Sequence, residues 1–283
     1  MINTEYLNTF IDQAFKEDIG DGDHTSLACI PSTTEGKAQL IIKEKGILAG
    51  VEVAQQVFHR FDPHLKITVY IYDGAQVFPG DVAFTVEGRV ISIVQCERLA
   101  LNIMQHLSGI ATQTSRYVEK LAGTTTQLLD TRKTTPGMRL LDKEAVRIGG
   151  GNNHRIGLFD MIMIKDNHVD FAGGIEKAID AVNSYLQKHG KMLKIEIEAR
   201  NLDDVERIIQ HGRIHRIMFD NFDIETTLKA VELVDGRYET ESSGNITLEN
   251  IRDYALCGVD FISVGALTHH INGLDMSLKA INN

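Results

Sequence analysis

The sequence lacks the marks of several large protein classes. It has three cysteines, Cys29, Cys96 and Cys257, and no CxxC pair, so we expect reduced thiols in a cytoplasmic protein rather than a disulfide framework. No apolar run is long enough to span a bilayer, and the first twenty residues follow a helical stripe that is unlike a signal peptide. A formal net charge of −10 argues against nucleic acid or an anionic membrane as the main partner.

Common nucleotide and metal motifs are missing as well. There is no Walker A sequence, no GxGxxG after a strand-like run, and no HExxH among the histidines. The acidic segment EDIGDGDHTS (residues 17–26) resembles a calcium loop. However, the position of the closing glutamate holds Cys29 or Ser32, depending on which aspartate is counted first, so an EF-hand is rejected.

Two patterns divide the chain. Residues 36–90 contain short β-like runs separated by glycines, which predicts a small α+β domain around an antiparallel sheet. A helix is predicted from about Ser92 to Ala122, with a break considered at Gly109. Beyond it, strand-like and helical runs alternate, which predicts a parallel α/β barrel with six strands instead of eight, or a doubly wound sheet as the alternative. We expect domains at 1–108 and 109–283, with the extreme C-terminus free to pack back on the first domain.

Basic side chains concentrate between Leu129 and Val169, against the acidic background of the chain. They surround the triple glycine 149–151 and comprise Arg132, Lys133, Arg139, Lys143, Arg147, His154, Arg155 and Lys165. Arginine forks and glycine N–H groups both suit carboxylates and phosphates, which predicts a pocket for a small polyanion. The alternative is a solvated helix followed by a flexible loop.

Residues at the ends of barrel strands are expected to converge, because the catalytic groups of such barrels lie at the C-terminal ends of the strands. Glu198 and Asp220 end neighbouring strands and could hold Mg²⁺ indirectly, stabilise a cationic sugar ring, or each pair with a lysine. The segments ESSGN (241–245) and SVGAL (263–267) predict a phosphate cup. Lys165 is either an anion ligand or the Schiff-base nucleophile of an aldolase.

Several motifs in order along the chain resemble the quinolinate phosphoribosyltransferase family. They include EDIGDGDHTS, ERLALN, DTRKTTPGMR, GGGNNHRIGL, IKDNHV, IEIEA, MFDN and ESSGNI. The resemblance implies an N-terminal α/β sandwich and a C-terminal incomplete barrel, Mg²⁺ as cofactor, and a homodimer in which one N-terminal domain covers the partner's barrel mouth. Assembly of dimers into hexamers is left open. A paralogue of the same fold found in molybdenum transport operons is the alternative within this fold.

The implied reaction joins quinolinate to 5-phosphoribosyl 1-diphosphate and releases diphosphate and CO₂, giving nicotinate mononucleotide for NAD synthesis. The resemblance makes Lys133, Glu198 and Asp220 the catalytic residues, with Glu198 and Asp220 near the metal, and Arg98 a contributor to the partner's site. The substrate-binding residues that it implies are Arg98, Thr131, Arg132, Lys133, His154, Arg155, Lys165, Glu198, Asp220, Ser243, Gly244, Asn245, Ser263, Val264 and Gly265.

Overall fold

A computed structural model describes residues 3–281 and divides them into two compact units. The first unit comprises residues 3–115, 135–150 and 267–281, and the second comprises residues 116–134 and 151–266. In chain order the elements are α1 (Thr4–Ile19), α2 (His24–Cys29), β1 (Glu35–Ile42), β2 (Gly46–Ile47), α3 (Val51–Phe61), β3 (Lys66–Val69), β4 (Gln76–Val77), β5 (Val82–Arg89), α4 (Val90–Lys120), β6 (Gln127–Leu129), α5 (Arg139–Ile148), β7 (Ile162–Ile164), α6 (Asp166–Ala172), α7 (Ile175–His189), β8 (Ile195–Ala199), α8 (Leu202–His211), β9 (Arg216–Asp220), α9 (Ile224–Val234), β10 (Glu239–Ser243), α10 (Ile251–Leu256), β11 (Phe261–Ser263), α11 (Ala266–His269) and β12 (Met276–Ala280).

The first unit is built on a four-stranded antiparallel sheet in the order β12-β1-β5-β3. Alternate residues of β1, from Ala38 to Ile42, are buried, as expected for a strand with one face against a core. Helix α3 buries Phe58, whose ring meets that of Phe84 on β5 edge-on at 6.1 Å between centroids. The predicted α+β domain with an antiparallel sheet is therefore confirmed.

The second unit contains a six-stranded parallel sheet in the order β6-β11-β10-β9-β8-β7. Strands that are consecutive in the chain are neighbours from β7 to β11, and the last of them pairs with the first, β6. This cyclic order is that of a barrel, since a doubly wound sheet would reverse direction in its middle. The strands β6 and β7 do not pair, and only a single bridge from Leu129 to Asn152 lies beside β6 at that seam. The incomplete barrel is confirmed and the doubly wound alternative is wrong.

Helix α4 is continuous, and the break considered at Gly109 does not occur. A Cβ at Gly109 would lie 2.4 Å from the carbonyl oxygen of Asn272, so close packing explains the glycine. No helix within residues 3–281 is long and apolar enough to cross a membrane.

Candidate active site

The ends of four neighbouring strands place the predicted strand-end residues at one rim of the second unit. Asp220 of β9 pairs in register with Ser243 of β10, which pairs with Ser263 of β11. Ser263 in turn pairs with Leu129 of β6, directly before the segment that carries Arg132. Because strands in a parallel sheet point the same way, these residues share the C-terminal edge of the barrel, as predicted.

Glu198 and Lys165 form an ion pair at this rim. Lys165 follows β7 and caps the N-terminus of α6, while Glu198 is the fourth residue of β8 and its side chain is 9% exposed. A lysine held by a carboxylate makes the contact expected of an anion ligand, whereas a Schiff-base nucleophile must have its amine free to attack a carbonyl. The ion pair therefore favours the anion-ligand interpretation of Lys165 over the aldolase alternative.

Arg132 and Arg155 bring two guanidinium groups close together. Burial and then the charge of Arg132 lower the pKa of Arg155 from its ordinary value. One Nη of Arg155 donates to the carbonyl of Met161 at 3.2 Å. The Nε of Arg132 is buried and has no hydrogen-bond partner within residues 3–281. Like charges held together with an unsatisfied donor indicate a site that an anion completes.

Asp130 joins the two cationic segments of this unit. Its carboxylate accepts the backbone N–H of His154 at 2.8 Å and the side-chain amide of Asn153 at 2.7 Å. Asp130 is fully buried and directly precedes Thr131, whose hydroxyl accepts the backbone N–H of Lys133 at 3.0 Å. Residues 131–133 and 154–155 are therefore fixed relative to each other by one carboxylate. The sequence interpretation missed Asp130, although an acid at a strand end among cations was a usable signal.

A buried charge cluster lies inside the barrel below the rim. The Nε2 of His154 lies 2.9 Å from Glu196 and 3.5 Å from Glu241, and Arg216 donates to Glu241 at 2.8 Å. Burial would lower the pKa of His154, but the two carboxylates outweigh it and raise that pKa to about 9. Burial, and then repulsion by Glu241, raises the pKa of Glu196. Sequence reasoning did not assign Arg216 or Glu241 to the site, although charges inside apolar strands were the signal.

The same three side chains, His154, Glu196 and Glu241, have the spacing of a metal site, with ligand atoms within 4.8 Å of one another. Two observations argue against a bound cation. The guanidinium of Arg216 already donates to Glu241, and the backbone N–H of Arg155 donates to Nδ1 of His154 at 2.7 Å, which leaves the ring proton on Nε2 facing the carboxylates. A metal would have to displace both the Arg216 contact on Glu241 and the proton on Nε2 of His154.

The carboxylates at the rim have the ligand chemistry of Mg²⁺, although Glu198 is ion-paired with Lys165. Glu198 and the half-buried Asp220 end adjacent strands and offer carboxylate oxygens, the ligands that this hard cation prefers. They fit the metal role implied by the resemblance.

The segments predicted to form a phosphate cup meet near Gly244. The hydroxyl of Ser263 donates to that of Ser243 at 3.0 Å, and the amide of Asn245 donates to Asn221 at 3.0 Å. Gly244 has a φ of +94°, and a Cβ there would lie 2.2 Å from the side-chain oxygen of Asn221. Ser243, Gly244 and Ser263 are thus brought together, with Gly265 following closely in the chain.

Val264 differs from the other predicted phosphate ligands. Its backbone N–H donates to the carbonyl of Leu129 at 3.0 Å, and the residue is almost completely buried. A phosphate contact from that N–H would require it to leave the sheet.

The cationic segment is divided between the two units. Arg139, Lys143 and Arg147 lie in the first unit, where Arg147 pairs with Glu144 on its own helix and Lys143 is buried. The prediction that the glycine run offers N–H groups to an anion is also wrong at Gly149, whose N–H donates to Ala145. A Cβ at Gly149 would lie 2.4 Å from the carbonyl of Ala111, so packing explains this glycine. Arg98 is exposed on α4 in the first unit.

Comparisons with known proteins show which family the chain resembles. Models of the N- and C-terminal domains of quinolinate phosphoribosyl transferase match residues 23–108 and 110–279. The chain is 45% identical to quinolinate phosphoribosyltransferase [decarboxylating] 1b of Nicotiana tabacum, covering 96% of this chain and 82% of the relative. It is also 45% identical, with the same coverage of this chain, to the chloroplastic nicotinate-nucleotide pyrophosphorylase [carboxylating] of Arabidopsis thaliana, of which it covers 82%.

A solved structure gives the same result. The nicotinate-nucleotide pyrophosphorylase from Francisella tularensis superimposes with a TM-score of 0.93 at 39% identity, covering 99% of this chain and 98% of that one. The chain therefore belongs to the quinolinate phosphoribosyltransferase family and is a phosphoribosyltransferase.

Proposed function

We propose that the rim of the second unit transfers the phosphoribosyl group of 5-phosphoribosyl 1-diphosphate to quinolinate with loss of CO₂. The products are nicotinate mononucleotide, diphosphate and CO₂, and the reaction serves NAD synthesis. The observation that carries the proposal is the pair Arg132 and Arg155, in which the Nε of Arg132 is buried and unpartnered and Arg155 also feels the charge of Glu198, the ion-pair partner of Lys165. Such a set matches an acceptor that carries two carboxylates.

Quinolinate binds through its carboxylates to Arg132, Arg155 and Lys165, with His154 at the buried side of the site. Binding of a carboxylate draws Lys165 from Glu198, since one ammonium then serves two anions. This exchange leaves Glu198 free to face the ribose. Because both carboxylates of the acceptor are held, its ring nitrogen is directed at the donor sugar.

Loss of diphosphate generates positive charge on the ribose. Glu198 and Asp220 stabilise that charge from the strand ends, and the exposed Lys133 stabilises the departing diphosphate. Glu198 and Asp220 would hold Mg²⁺ through water or substrate oxygens, and the ion supplies charge neutralisation for diphosphate when it is bound. The 5-phosphate rests on the cup formed by Ser243, Gly244 and the segment after Ser263.

Bond formation between the ring nitrogen and C1 of ribose makes the ring cationic. The adjacent carboxylate then leaves as CO₂, its bonding electrons remain on the ring carbon as an ylide, and that carbon takes up a proton. The cationic ring stabilises the electron pair, so no strong general base is needed. The second carboxylate stays on the product, held by the arginine cluster.

The protein is also proposed to act as a cytoplasmic homodimer with shared sites. The exposed position of Arg98 on α4 supports a role towards the partner's acceptor, and three free thiols support a reducing compartment.

The deciding experiment incubates the protein with quinolinate, phosphoribosyl diphosphate and Mg²⁺ and measures nicotinate mononucleotide together with labelled CO₂ from the 2-carboxylate. Equal amounts of the two products are expected. Nicotinate replaces quinolinate in the control, and because it has one carboxylate fewer, little turnover is expected. Turnover of nicotinate but not quinolinate would overturn the proposal.

A further inference from the structure

Charged side chains beneath the rim, all buried except the partly exposed Glu239, form a connected column within the second unit. The column consists of Glu239, Arg216, Glu241, His154 and Glu196. Arg216 donates from Nη2 to Glu239 at 3.0 Å and from Nη1 to Glu241 at 2.8 Å. The same oxygen of Glu241 lies 3.5 Å from Nε2 of His154, which also lies 2.9 Å from Glu196. The column thus extends from the first residue of β9 to the base of the acceptor site.

His154 is the member of the column that connects it to the substrate arginines. Its Nδ1 accepts the backbone N–H of Arg155 at 2.7 Å, and the backbone N–H of His154 donates to the carboxylate of Asp130 at 2.8 Å. With Nδ1 occupied as an acceptor, the ring proton sits on Nε2 and needs an acceptor inside the barrel. The carboxylate oxygens nearest to Nε2 are those of Glu196, at 2.9 Å, and Glu241, at 3.5 Å.

Burial of these charged side chains costs free energy, which favours a role of the column other than packing. Glu196 and Glu241 are fully buried, and carboxylates in such positions require partners. Arg216 supplies one, stacked on the ring of Phe261 at 3.8 Å, and His154 supplies the other. Without Arg216 and His154, the two buried carboxylates would face each other under a site that binds a dianion.

We propose that Glu241, held in place by Arg216, is a positioning residue for quinolinate. It fixes the orientation and the Nε2 proton of His154, and through His154 it fixes the backbone from which Arg155 reaches the acceptor. This inference rests on the proposed function, because it assigns the substrate whose binding the column controls. It predicts that loss of Glu241 changes KM for quinolinate and leaves KM for phosphoribosyl diphosphate unchanged.

The chain supplies a matched control. Glu239 and Glu241 are two residues apart on β10, and both accept hydrogen bonds from Arg216. Of these two glutamates, Glu241 lies 3.5 Å from His154, whereas Glu239 pairs with Lys194 and is about one third exposed. Glu241→Gln and Glu239→Gln therefore remove the same group from the same arginine, and they differ in the contact with His154.

The experiment measures KM for both substrates and the thermal midpoint of each variant. Glu241→Gln is expected to raise KM for quinolinate about tenfold and to leave KM for phosphoribosyl diphosphate within about twofold of wild type. Glu239→Gln should leave both unchanged. Unchanged KM for quinolinate in folded Glu241→Gln, or a parallel rise of both KM values, would overturn the inference. So would an equal effect of Glu239→Gln.

A second variant covers the case in which Glu241→Gln fails to fold. Glu241→Asp keeps the buried charge and withdraws it from His154, so a smaller rise of KM for quinolinate alone is expected. No selective rise in this folded variant would also contradict the role. If the wild-type protein turns over no quinolinate, the proposed function fails instead, and that result is visible before any variant is compared.

Discussion

Replacement of Gly244 by alanine tests the phosphate cup at its tightest point. The added Cβ would lie 2.2 Å from Oδ1, 2.6 Å from Cγ and 3.1 Å from the backbone nitrogen of Asn221. An ordinary contact needs more than 3 Å, so the amide of Asn221 must move by about 1 Å or more. That movement breaks its hydrogen bond from Asn245, which costs about 1 kcal/mol.

The Gly244→Ala change has a second cost, backbone strain, which is independent of the contact with Asn221. At a φ of +94° any residue with a Cβ is strained, by about 1–2 kcal/mol. Gly258 provides the control, because its φ is +87° and the atom nearest to an added Cβ, on Val231, is 3.8 Å away. Gly258→Ala therefore carries the same strain without the collision.

The assay is steady-state kinetics with each substrate varied in turn, together with thermal unfolding. Both variants should lose a few degrees of Tm, at about 2–4 °C for each kcal/mol. Only Gly244→Ala should raise KM for phosphoribosyl diphosphate, by about tenfold, since about 1.4 kcal/mol of phosphate binding is lost. If KM for this substrate is the same in the two variants, Gly244 does not shape a phosphate site.

Three further outcomes are expected. Lys133→Ala should lower kcat by about a hundredfold or more with Tm unchanged, and full retention of activity would remove Lys133 from the mechanism. Two inactive proteins, Arg98→Ala and Lys133→Ala, should regain about one quarter of wild-type activity when they are mixed and allowed to exchange subunits, whereas sites made within one chain would give none. Burial alone would raise the pKa of Asp62, but hydrogen bonds from Ser92 and Arg89 hold it below its ordinary value. The contribution of Asp62 to the free energy of unfolding is therefore complete above about pH 4, and it is lost as the pH falls through the lowered pKa. Asp62→Asn should lower the free energy of unfolding by about 2 kcal/mol at pH 7. In urea unfolding, the difference between this variant and the wild type should shrink towards pH 3. A constant difference across that range would contradict this account.

The barrel and its rim could be predicted from the sequence because both follow from local patterns. Strand-like runs that end in polar residues place Glu198, Asp220 and Ser243 at one edge as soon as the strands are parallel. The motifs that resemble the family added the chemistry, and the domain models matched the same residues.

The glycines and the interior charges were harder to predict. Local pattern suggests a break at Gly109 and an anion contact at Gly149, but each glycine is required by a carbonyl that approaches from a distant part of the chain. Arg216 and Glu241 lie in strands whose sequence gives no sign of what they face across the barrel. Such roles depend on tertiary contacts, which no local pattern encodes.

The seam between β6 and β7 explains how His154 and Arg155, adjacent in the chain, can both lie within reach of Glu196. In a regular strand two successive side chains point to opposite faces, so one of them would leave the barrel. Beside the single bridge at Asn152 the backbone is not bound to that alternation, and both side chains interact with Glu196. A regular strand at this position would direct one of the two side chains away from Glu196. A design that restores full pairing between β6 and β7 would therefore lose the interaction of either His154 or Arg155 with Glu196.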